Sequence, residues 1–211
     1  MKNLPLSTRA ELYHKAFPKF QLLRADDVRL EGLWIMGNNY RTSGYYGAYP
    51  HGYLPRVMSM FPDAERVLHV PSGSLPPGDY TRIDIRPEGN PDIVGDCHDC
   101  KSLLGDRTFD LVMVDVPYSN EDALNYGRPM VNRIRVLRSV LEVMEPGGYI
   151  VWLDQAPPIH RKAESLQVGS IIVLPMVFEE EGCSMVGGIG MQKSTNHRVR
   201  GIFIFRKEGG R

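Results

Sequence analysis

The sequence feature that most constrains the fold is a set of short apolar segments, each followed at once by a turn or an acidic residue. The clearest is FDLVMVDVPYS at residues 109–119, in which Leu111 to Val114 are apolar without a break and Asp115 follows directly. Continuous apolar strands are typical of parallel sheets that are buried on both faces. The pattern therefore predicts an α/β protein with a mostly parallel sheet and helices on both faces.

Seven segments of this kind are predicted as strands, and three stretches are predicted as helices, the third of them at residues 54–61. Residues 28–36 fit either a strand or a hairpin. The first helix is predicted over residues 8–17, where Thr8 and Glu11 have the spacing of a capping box. The second is predicted over roughly residues 129–145, with Pro129 in its first turn and Ile134, Leu137, Leu141 and Met144 on one face. The seven strands are predicted at 66–70, 81–85, 91–96, 110–115, 149–154, 170–178 and 200–205.

Charge and composition narrow the class of protein. The 25 Lys and Arg balance the 25 Asp and Glu, so there is no global field to hold a polyanion, and any contact with nucleic acid is expected from a local patch. No apolar run reaches membrane-spanning length, and the N-terminus lacks the core of a signal peptide. Three cysteines do not make a disulfide framework. We therefore expect a soluble, cytoplasmic protein with no membrane partner.

The residues at the strand ends are the candidate binding groups, because ligands of open α/β sheets sit beyond the carboxyl ends of the strands. Placing acidic residues at three successive strand ends near one cleft costs free energy. A ligand with hydroxyls, an amino group and a positive charge would offset that cost. The candidates are Pro71, Ser72, Gly73 and Ser74 after the first strand, Asp84 at the second, Asp96 and Cys97 after the third, and Asp115, Val116, Pro117 and Tyr118 after the fourth.

Several of these features have simpler explanations. Asp115 could cap a turn, and the Ser72–Gly73–Ser74 stretch could be a plain turn. Cys97 and Cys100 in CHDC suggest a zinc or redox site, but a second ligand pair is absent, so no metal site is predicted. A group of arginines could bind phosphate or could form a solvated helix face. These arginines are Arg128, Arg133, Arg135 and Arg138.

A loop rich in aromatic rings precedes the first strand of the predicted sheet. Residues 37–56 hold five tyrosines, at positions 40, 45, 46, 49 and 53, together with several glycines. The stretch is predicted to be a loop that serves either for packing or for covering a ligand. The residues LPRVMSMF after it are predicted as a helix with Leu54, Val57, Met58 and Phe61 on one face.

Taken in order, these motifs resemble those of the class I S-adenosylmethionine-dependent methyltransferases, in particular the phage and bacterial DNA amino-methyltransferases. VLHVPSGS resembles the family's first motif, DVPYS resembles its D/N/S-P-P-Y/F/W signature, and MEPGG matches the turn before its fifth strand. The resemblance covers residues 40–153. It implies a Rossmann-like methyltransferase fold with a seven-stranded sheet, as one domain over 1–211. Residues 1–65 would form an N-terminal helix and a Tyr-rich covering segment, and residues 66–211 the sheet core.

The resemblance also implies roles for the candidate residues. S-adenosyl-L-methionine would be held by Tyr46, by the turn from Pro71 to Ser74, by Asp84 at the ribose and by Asp96 and Cys97 at the adenine. Asp115, Pro117 and Tyr118 would be catalytic, with Asp115 also beside the cofactor. Asp115 and the Val116 carbonyl would each accept one N–H of an exocyclic base amine, and Tyr118 would stack on the base. The implied substrate is adenine N6 or cytosine N4 in DNA.

The chain departs from the family pattern in ways that leave alternatives open. Val116 stands where the family has its first proline, and the link between the first two strands is too short for a full crossover helix. The first half of the fold is therefore predicted to be trimmed, and no segment is large enough for a target-recognition domain. One alternative is a catalytically silent cofactor-binding subunit that needs a partner chain, and the chain could also form a homo-oligomer. The other alternative is a methyltransferase for a small molecule or a protein.

Overall fold

The sheet is the organising element of the computed structural model, which describes residues 4–20, 23–36, 47–158, 165–175 and 199–208. Nine strands form one sheet in the order β1-β2-β8-β9-β7-β6-β3-β4-β5. Five of the eight neighbouring pairs are parallel and three are antiparallel. The strands are β1 Leu23–Ala25, β2 Leu30–Met36, β3 Val67–His69, β4 Thr81–Asp84, β5 Ile93–Val94, β6 Phe109–Asp115, β7 Met144–Asp154, β8 Ser165–Pro175 and β9 Arg200–Lys207.

Helices cover both faces of this sheet, and alternate residues of its strands feed two separate cores. Leu111 and Met113 of β6 belong to one core, together with residues of α1 and α2. Val112 and Val114 belong to the other, with residues of α3 and α5. The predicted mostly parallel, Rossmann-like α/β fold with two covered faces is confirmed. The described helices are α1 Leu6–Ala16, α2 Tyr53–Met60, α3 Cys100–Leu104, α4 Asn120–Asn125 and α5 Arg133–Glu142.

The chain reverses its direction of travel across the sheet at β3, and this creates a place for a ligand. From β3 it proceeds to β4 and β5 on one side, and then returns to β6 and β7 on the other. Such a topological switch point opens a crevice at the carboxyl ends of the two central strands. The loops after β3 and β6 therefore lie side by side at the same edge.

The sheet has more strands than the predicted seven. The two additional strands are β1 and β2, an antiparallel hairpin that resolves the ambiguous stretch at residues 28–36. β2 then pairs in parallel with β8 and extends the sheet beyond β9. β8 is far from β2 along the chain, and such a pairing leaves no signal in local periodicity, so the sequence pattern did not predict it.

The helices predicted at 8–17 and 129–145 both shift at their boundaries. The helix predicted at 129–145 runs from Arg133 to Glu142 and is capped by Asn132, whose side chain accepts from the Arg135 N–H. Ile134, predicted on the buried face, is 38% exposed. The first helix begins at Leu6, before Thr8, and has no side-chain cap. The predicted capping box is therefore wrong, because Pro5 already fixes the start of the helix.

The trimmed first half is confirmed. The link between β3 and β4 contains no helix, and the link between β4 and β5 contains only a single 3-10 turn at Pro87–Gly89. β5 itself has two residues. The first crossover therefore presents loops, rather than a helix N-terminus, to the ligand crevice. Among the residues described, no helix combines the length and the apolarity that crossing a membrane requires.

Candidate functional site

A cavity of about 280 Å³ opens at the switch point, beside the carboxyl ends of β3, β4 and β6. This volume lies close to the lower end of the range of roughly 300–1,000 Å³ that is common for small-molecule sites. The cavity brings together most of the residues predicted from the sequence. The predicted residues in its wall are Pro71, Ser72, Gly73, Asp84, Asp96, Cys97, Asp115, Val116, Pro117 and Tyr118. Ser74 is half-buried outside this wall, and Tyr46 lies outside the described residues.

The turn after β3 is shaped by a close approach of two backbone segments. Gly73 has a φ of +54°, and a Cβ built there would lie 1.9 Å from the carbonyl oxygen of Gly47. Only glycine fits this combination of a left-handed conformation and a crowded neighbour. The Ser72 hydroxyl is buried at the cavity wall and has no hydrogen-bond partner among the described residues. It is therefore a polar group that a ligand could satisfy.

Asp84 ties this turn to the second strand. Its carboxylate accepts the Gly73 N–H at 2.7 Å on one oxygen and the Arg86 N–H at 2.9 Å on the other. The side chain is buried, with 4% of its surface exposed. Each carboxylate oxygen keeps a second acceptor position. Asp84 therefore serves the architecture of the site, and its predicted contact with a ribose remains a prediction.

Asp96 and His98 form a pair at the next strand end. Asp96 Oδ1 accepts the His98 N–H at 2.9 Å and lies 2.6 Å from His98 Nδ1, while His98 Nε2 accepts the Asn132 N–H at 3.1 Å. This network fixes the tautomer with the proton on Nδ1. Burial raises the pKa of Asp96, but the hydrogen bonds that its carboxylate accepts from His98 outweigh this effect and leave the pKa below its usual value.

The neighbouring cysteines do not favour the alternative of a metal site. Cys97 lies with Asp96 and His98 in a group that could approach one ion, but both ring nitrogens of His98 are already engaged. Burial raises the pKa of the Cys97 thiol strongly and that of Cys100 to about 11. Both sulfurs are therefore protonated thiols at neutral pH in the metal-free protein, and an ion would have to displace a proton to bind either of them.

Asp115 lies at the end of β6, and its environment changes its acidity. Its Oδ1 accepts the Tyr118 hydroxyl proton at 2.7 Å. The cavity leaves part of the Asp115 side chain accessible to solvent. The carboxyl group is nevertheless surrounded by many protein atoms, and this burial controls its charge. Burial raises the pKa of Asp115 to about 7, although the Tyr118 hydrogen bond and the charge of Arg200 act in the opposite direction. The carboxyl is therefore poised to exchange a proton near neutral pH.

The loop after Asp115 is held in place from the opposite face of the sheet. Arg133 donates to both carboxylate oxygens of the fully buried Asp154, at 2.6 and 2.9 Å. The same guanidinium donates to the Tyr118 carbonyl at 3.2 Å. Asp154 also accepts from Trp152 Nε1 at 3.2 Å. This buried pair fixes the loop after β6 to the end of β7 and to the start of α5.

Two of the predicted loop tyrosines are described, and both are buried. Tyr49 stacks on Tyr53 with ring centres 5.1 Å apart, and its hydroxyl lies 3.1 Å from Nδ1 of His69. Burial lowers the pKa of His69 to about 3, so this histidine is neutral. Tyr53 belongs to α2 rather than to the predicted loop. Of these two rings, Tyr49 lines the cavity. The predicted role of Tyr46 over a cofactor stays a prediction.

The buried face of α2 differs from the predicted one. Its buried residues are Tyr53, Arg56, Val57 and Met60. Leu54 and Met58 are only half-buried. The helix begins at Tyr53, before the predicted first residue, and this aromatic ring and the Arg56 side chain take positions in the core. Arg56 packs over the Phe20 ring at 4.2 Å, which explains how a cation can lie on this face.

The structure adds residues that the sequence reasoning missed. Asp122 and Arg200 line the cavity, although no motif contains them. The Ser119 side chain accepts the Asp122 N–H at 3.1 Å and caps α4, a spacing that the sequence shows. Arg200 reaches the site only through the pairing of β9 with β7. Of the four arginines that could bind phosphate or form a solvated face, Arg133 pairs with Asp154, Arg135 pairs with Asp99 at 3.0 Å, and Arg128 lines the cavity.

Comparison with known proteins gives no match in sequence and remote matches in structure. No family model and no curated protein matches the chain. TrmN from Thermus thermophilus aligns with 68% of this chain and 44% of its own, at 14% identity and a TM-score of 0.42. The chain thus spans less than half the length of that protein. The N-methyltransferase NodS from Bradyrhizobium japonicum aligns over 96% of both chains, at 12% identity and a TM-score of 0.38.

A third similar structure is a Streptococcus mutans protein solved in complex with S-adenosylhomocysteine (SAH). It aligns with 98% of this chain and 99% of its own, at 8% identity and a TM-score of 0.35. TM-scores at this level carry no argument about activity.

Proposed function

We propose that this chain is an S-adenosylmethionine-dependent methyltransferase that acts on an exocyclic amino group, adenine N6 or cytosine N4 in DNA. The observation that carries the proposal is the position of Asp115. This carboxyl heads the Asp-Val-Pro-Tyr sequence and lines the same cavity as the acidic residues after β4 and β5. One cavity thus contains a carboxyl group that can accept an amine N–H and acidic residues that can bind a polar cofactor.

The residues present fit S-adenosylmethionine. The unpartnered Ser72 hydroxyl in the wall can donate to the cofactor or accept from it. Asp84 and Asp96 place negative charge along the same wall, which suits a ligand with hydroxyls and a net positive charge. When bound, this cofactor supplies a methyl group attached to a positively charged sulfur.

Asp115 would orient and activate the acceptor amine. Its Oδ1 accepts the Tyr118 hydroxyl proton. No donor within the described part of the chain occupies its Oδ2, which would accept one amine N–H. The Val116 carbonyl, at the cavity wall, would accept the other. Two acceptors draw the amine nitrogen toward a tetrahedral geometry in which its lone pair faces away from the ring. With a pKa of about 7, the carboxyl can then take the proton that the methylated nitrogen releases.

Tyr118 and the ion pair behind it would keep this geometry rigid. The Tyr118 hydroxyl fixes the carboxyl of Asp115, and Arg133 fixes the Tyr118 carbonyl. An acceptor bound in this way needs no movement of the loop before reaction, which is the condition for efficient positioning. Stacking of the Tyr118 ring on the base remains part of the proposal, with the ring face as the contact surface.

The test is a methyl-transfer assay with isotopically labelled S-adenosylmethionine. Single-stranded DNA, duplex DNA, RNA and free nucleosides would be incubated with the purified chain, digested and analysed by mass spectrometry for labelled bases. We expect label on an exocyclic nitrogen of adenine or cytosine. Label on another atom or in another polymer would contradict the proposal that the substrate is an exocyclic amine in DNA. SAH binding without any transfer would favour a silent subunit that needs a partner chain.

A further inference from the structure

Arg200 reaches the cavity from the far side of the sheet. It is the first residue of β9, which runs antiparallel to β7, so the start of β9 lies at the edge where the parallel strands end. In the register, Asp154 pairs with Gly201 and Asp115 pairs with Leu153. Arg200 and Asp115 are far apart in the sequence but therefore lie at the same edge of the folded sheet.

Arg200 and Asp115 lie on the same face of the sheet. Ile202 and Ile204 of β9 pack in the same core as Leu111 and Met113 of β6. Because side chains alternate along a strand, Arg200 continues the first pair and Asp115 continues the second. β7 lies between the two strands. Two strand spacings of about 4.8 Å each place their backbones roughly 10 Å apart.

The Arg200 guanidinium lacks a carboxylate partner among the described residues. Its Nε is buried without a hydrogen bond, and its guanidinium lies 5.9 Å from the centre of the Tyr118 ring. Two other arginines of the sheet region, Arg82 and Arg133, form ion pairs, with Asp92 at 2.8 Å and with Asp154 at 2.6 Å respectively. The guanidinium charge acts on Asp115 and on Tyr118. It forms no ion pair with a carboxylate among the described residues, so an anionic ligand would offset part of the cost of burying this cation.

The strand order separates Arg200 from the cofactor residues. Ser72 follows β3, Asp84 ends β4 and Asp96 follows β5, and these three strands lie on one side of β6. Arg200 lies on the other side, beyond β7. Asp115 stands between the two groups. An anion held by Arg200 therefore belongs to the acceptor molecule rather than to the cofactor.

We infer that Arg200 binds the phosphate of the nucleotide whose base presents its amine to Asp115. This inference rests on the proposed function and specifies its substrate as a phosphorylated nucleotide unit. A guanidinium matches phosphate because its N–H groups can make two parallel hydrogen bonds to two phosphate oxygens. Arg200 would thus fix the distance between the phosphate and the reacting amine.

The test is titration calorimetry of adenosine 5′-monophosphate and adenosine into the chain saturated with SAH. We expect the monophosphate to bind roughly 10-fold more tightly or better, as a charge-assisted hydrogen bond provides. Arg200→Gln should remove this preference. Arg206→Gln is the matched control, because Arg206 is on the same strand but pairs with Glu208 and is 41% exposed. It should keep the preference.

Three results would overturn the inference. The first is equal affinity for the two ligands, or no heat from either at millimolar concentration. The second is a preference that survives Arg200→Gln. The third is a loss of affinity for SAH, but not for 5′-methylthioadenosine, in Arg200→Gln, because this would place Arg200 at the cofactor carboxylate. Failure of the wild-type chain to bind SAH would instead count against the proposed function, so the two failures are distinguishable.

Discussion

The raised pKa of Asp115 should make the stability of this protein depend on pH in a way that one substitution removes. Burial moves the pKa from its ordinary value of 3.8 to about 7. Between these two values the folded protein keeps a proton that the unfolded chain has lost. Stability from this group is therefore complete below pH 3.8, declines as pH rises, and levels off above pH 7.

The size of the effect follows from the shift. At about 1.4 kcal/mol per unit of pKa, the full displacement corresponds to about 4 kcal/mol. Between pH 5 and pH 8 the accessible part is about 3 kcal/mol. Asp115→Asn keeps the shape of the side chain but cannot ionise. The free energy of unfolding of this variant, relative to that of the wild type, should therefore rise by about 3 kcal/mol over the interval.

Urea unfolding of the two proteins at pH 5, 6, 7 and 8 measures this difference, and subtraction cancels the titration of all other groups. Asp92→Asn is the control, because hydrogen bonds from Arg82 lower the pKa of Asp92. Stability from that group is lost only as pH falls through the acidic range, so its difference from the wild type should be flat above pH 5. A flat difference for Asp115→Asn as well would refute the raised pKa and the proton transfer built on it.

Two further predictions concern the architecture of the site. Gly73→Ala should abolish SAH binding in calorimetry, because the new Cβ would meet the Gly47 carbonyl. Gly52→Ala is the control, because Gly52 also has a positive φ but has open space around its Cβ. This variant should lose only about 1 kcal/mol of stability and should still bind SAH. Arg133→Ala should lower the free energy of unfolding by roughly 3–5 kcal/mol in urea titration, because it leaves Asp154 buried and unpaired; Arg133→Lys should recover part of that loss, and equal losses in the two variants would contradict the ion pair as its cause.

Local patterns predicted the central part of the fold. The parallel strands of the core, β3 to β7, are short apolar runs with an acid or a turn at their ends, and these signals depend on neighbouring residues only. The cavity residues Ser72, Asp84 and Asp115 followed from the same signals, because strand ends in such a sheet meet at one edge. The motif order added the expectation of a cofactor site to that geometry.

Features that depend on long-range contacts were not predicted. Arg200 enters the site through an antiparallel pairing between residues about 50 positions apart in the chain. Asp84 accepts a hydrogen bond from the Gly73 N–H, and no periodicity in the sequence indicates this bond. Ile134 fits the apolar face of a helix in sequence, but α5 begins only at Arg133, and Ile134 is exposed.

The most direct test of the account compares methyl transfer and cofactor binding in Asp115→Ala. The carboxyl is assigned to the acceptor, so the rate of transfer to DNA should fall by about 100-fold or more, while the Kd for SAH should stay nearly that of the wild type. Asp84→Ala should show the reverse order, with cofactor affinity lost first, because the turn at Gly73 is released. Methyl transfer by Asp115→Ala at the wild-type rate would contradict the central claim that this carboxyl carries the reaction.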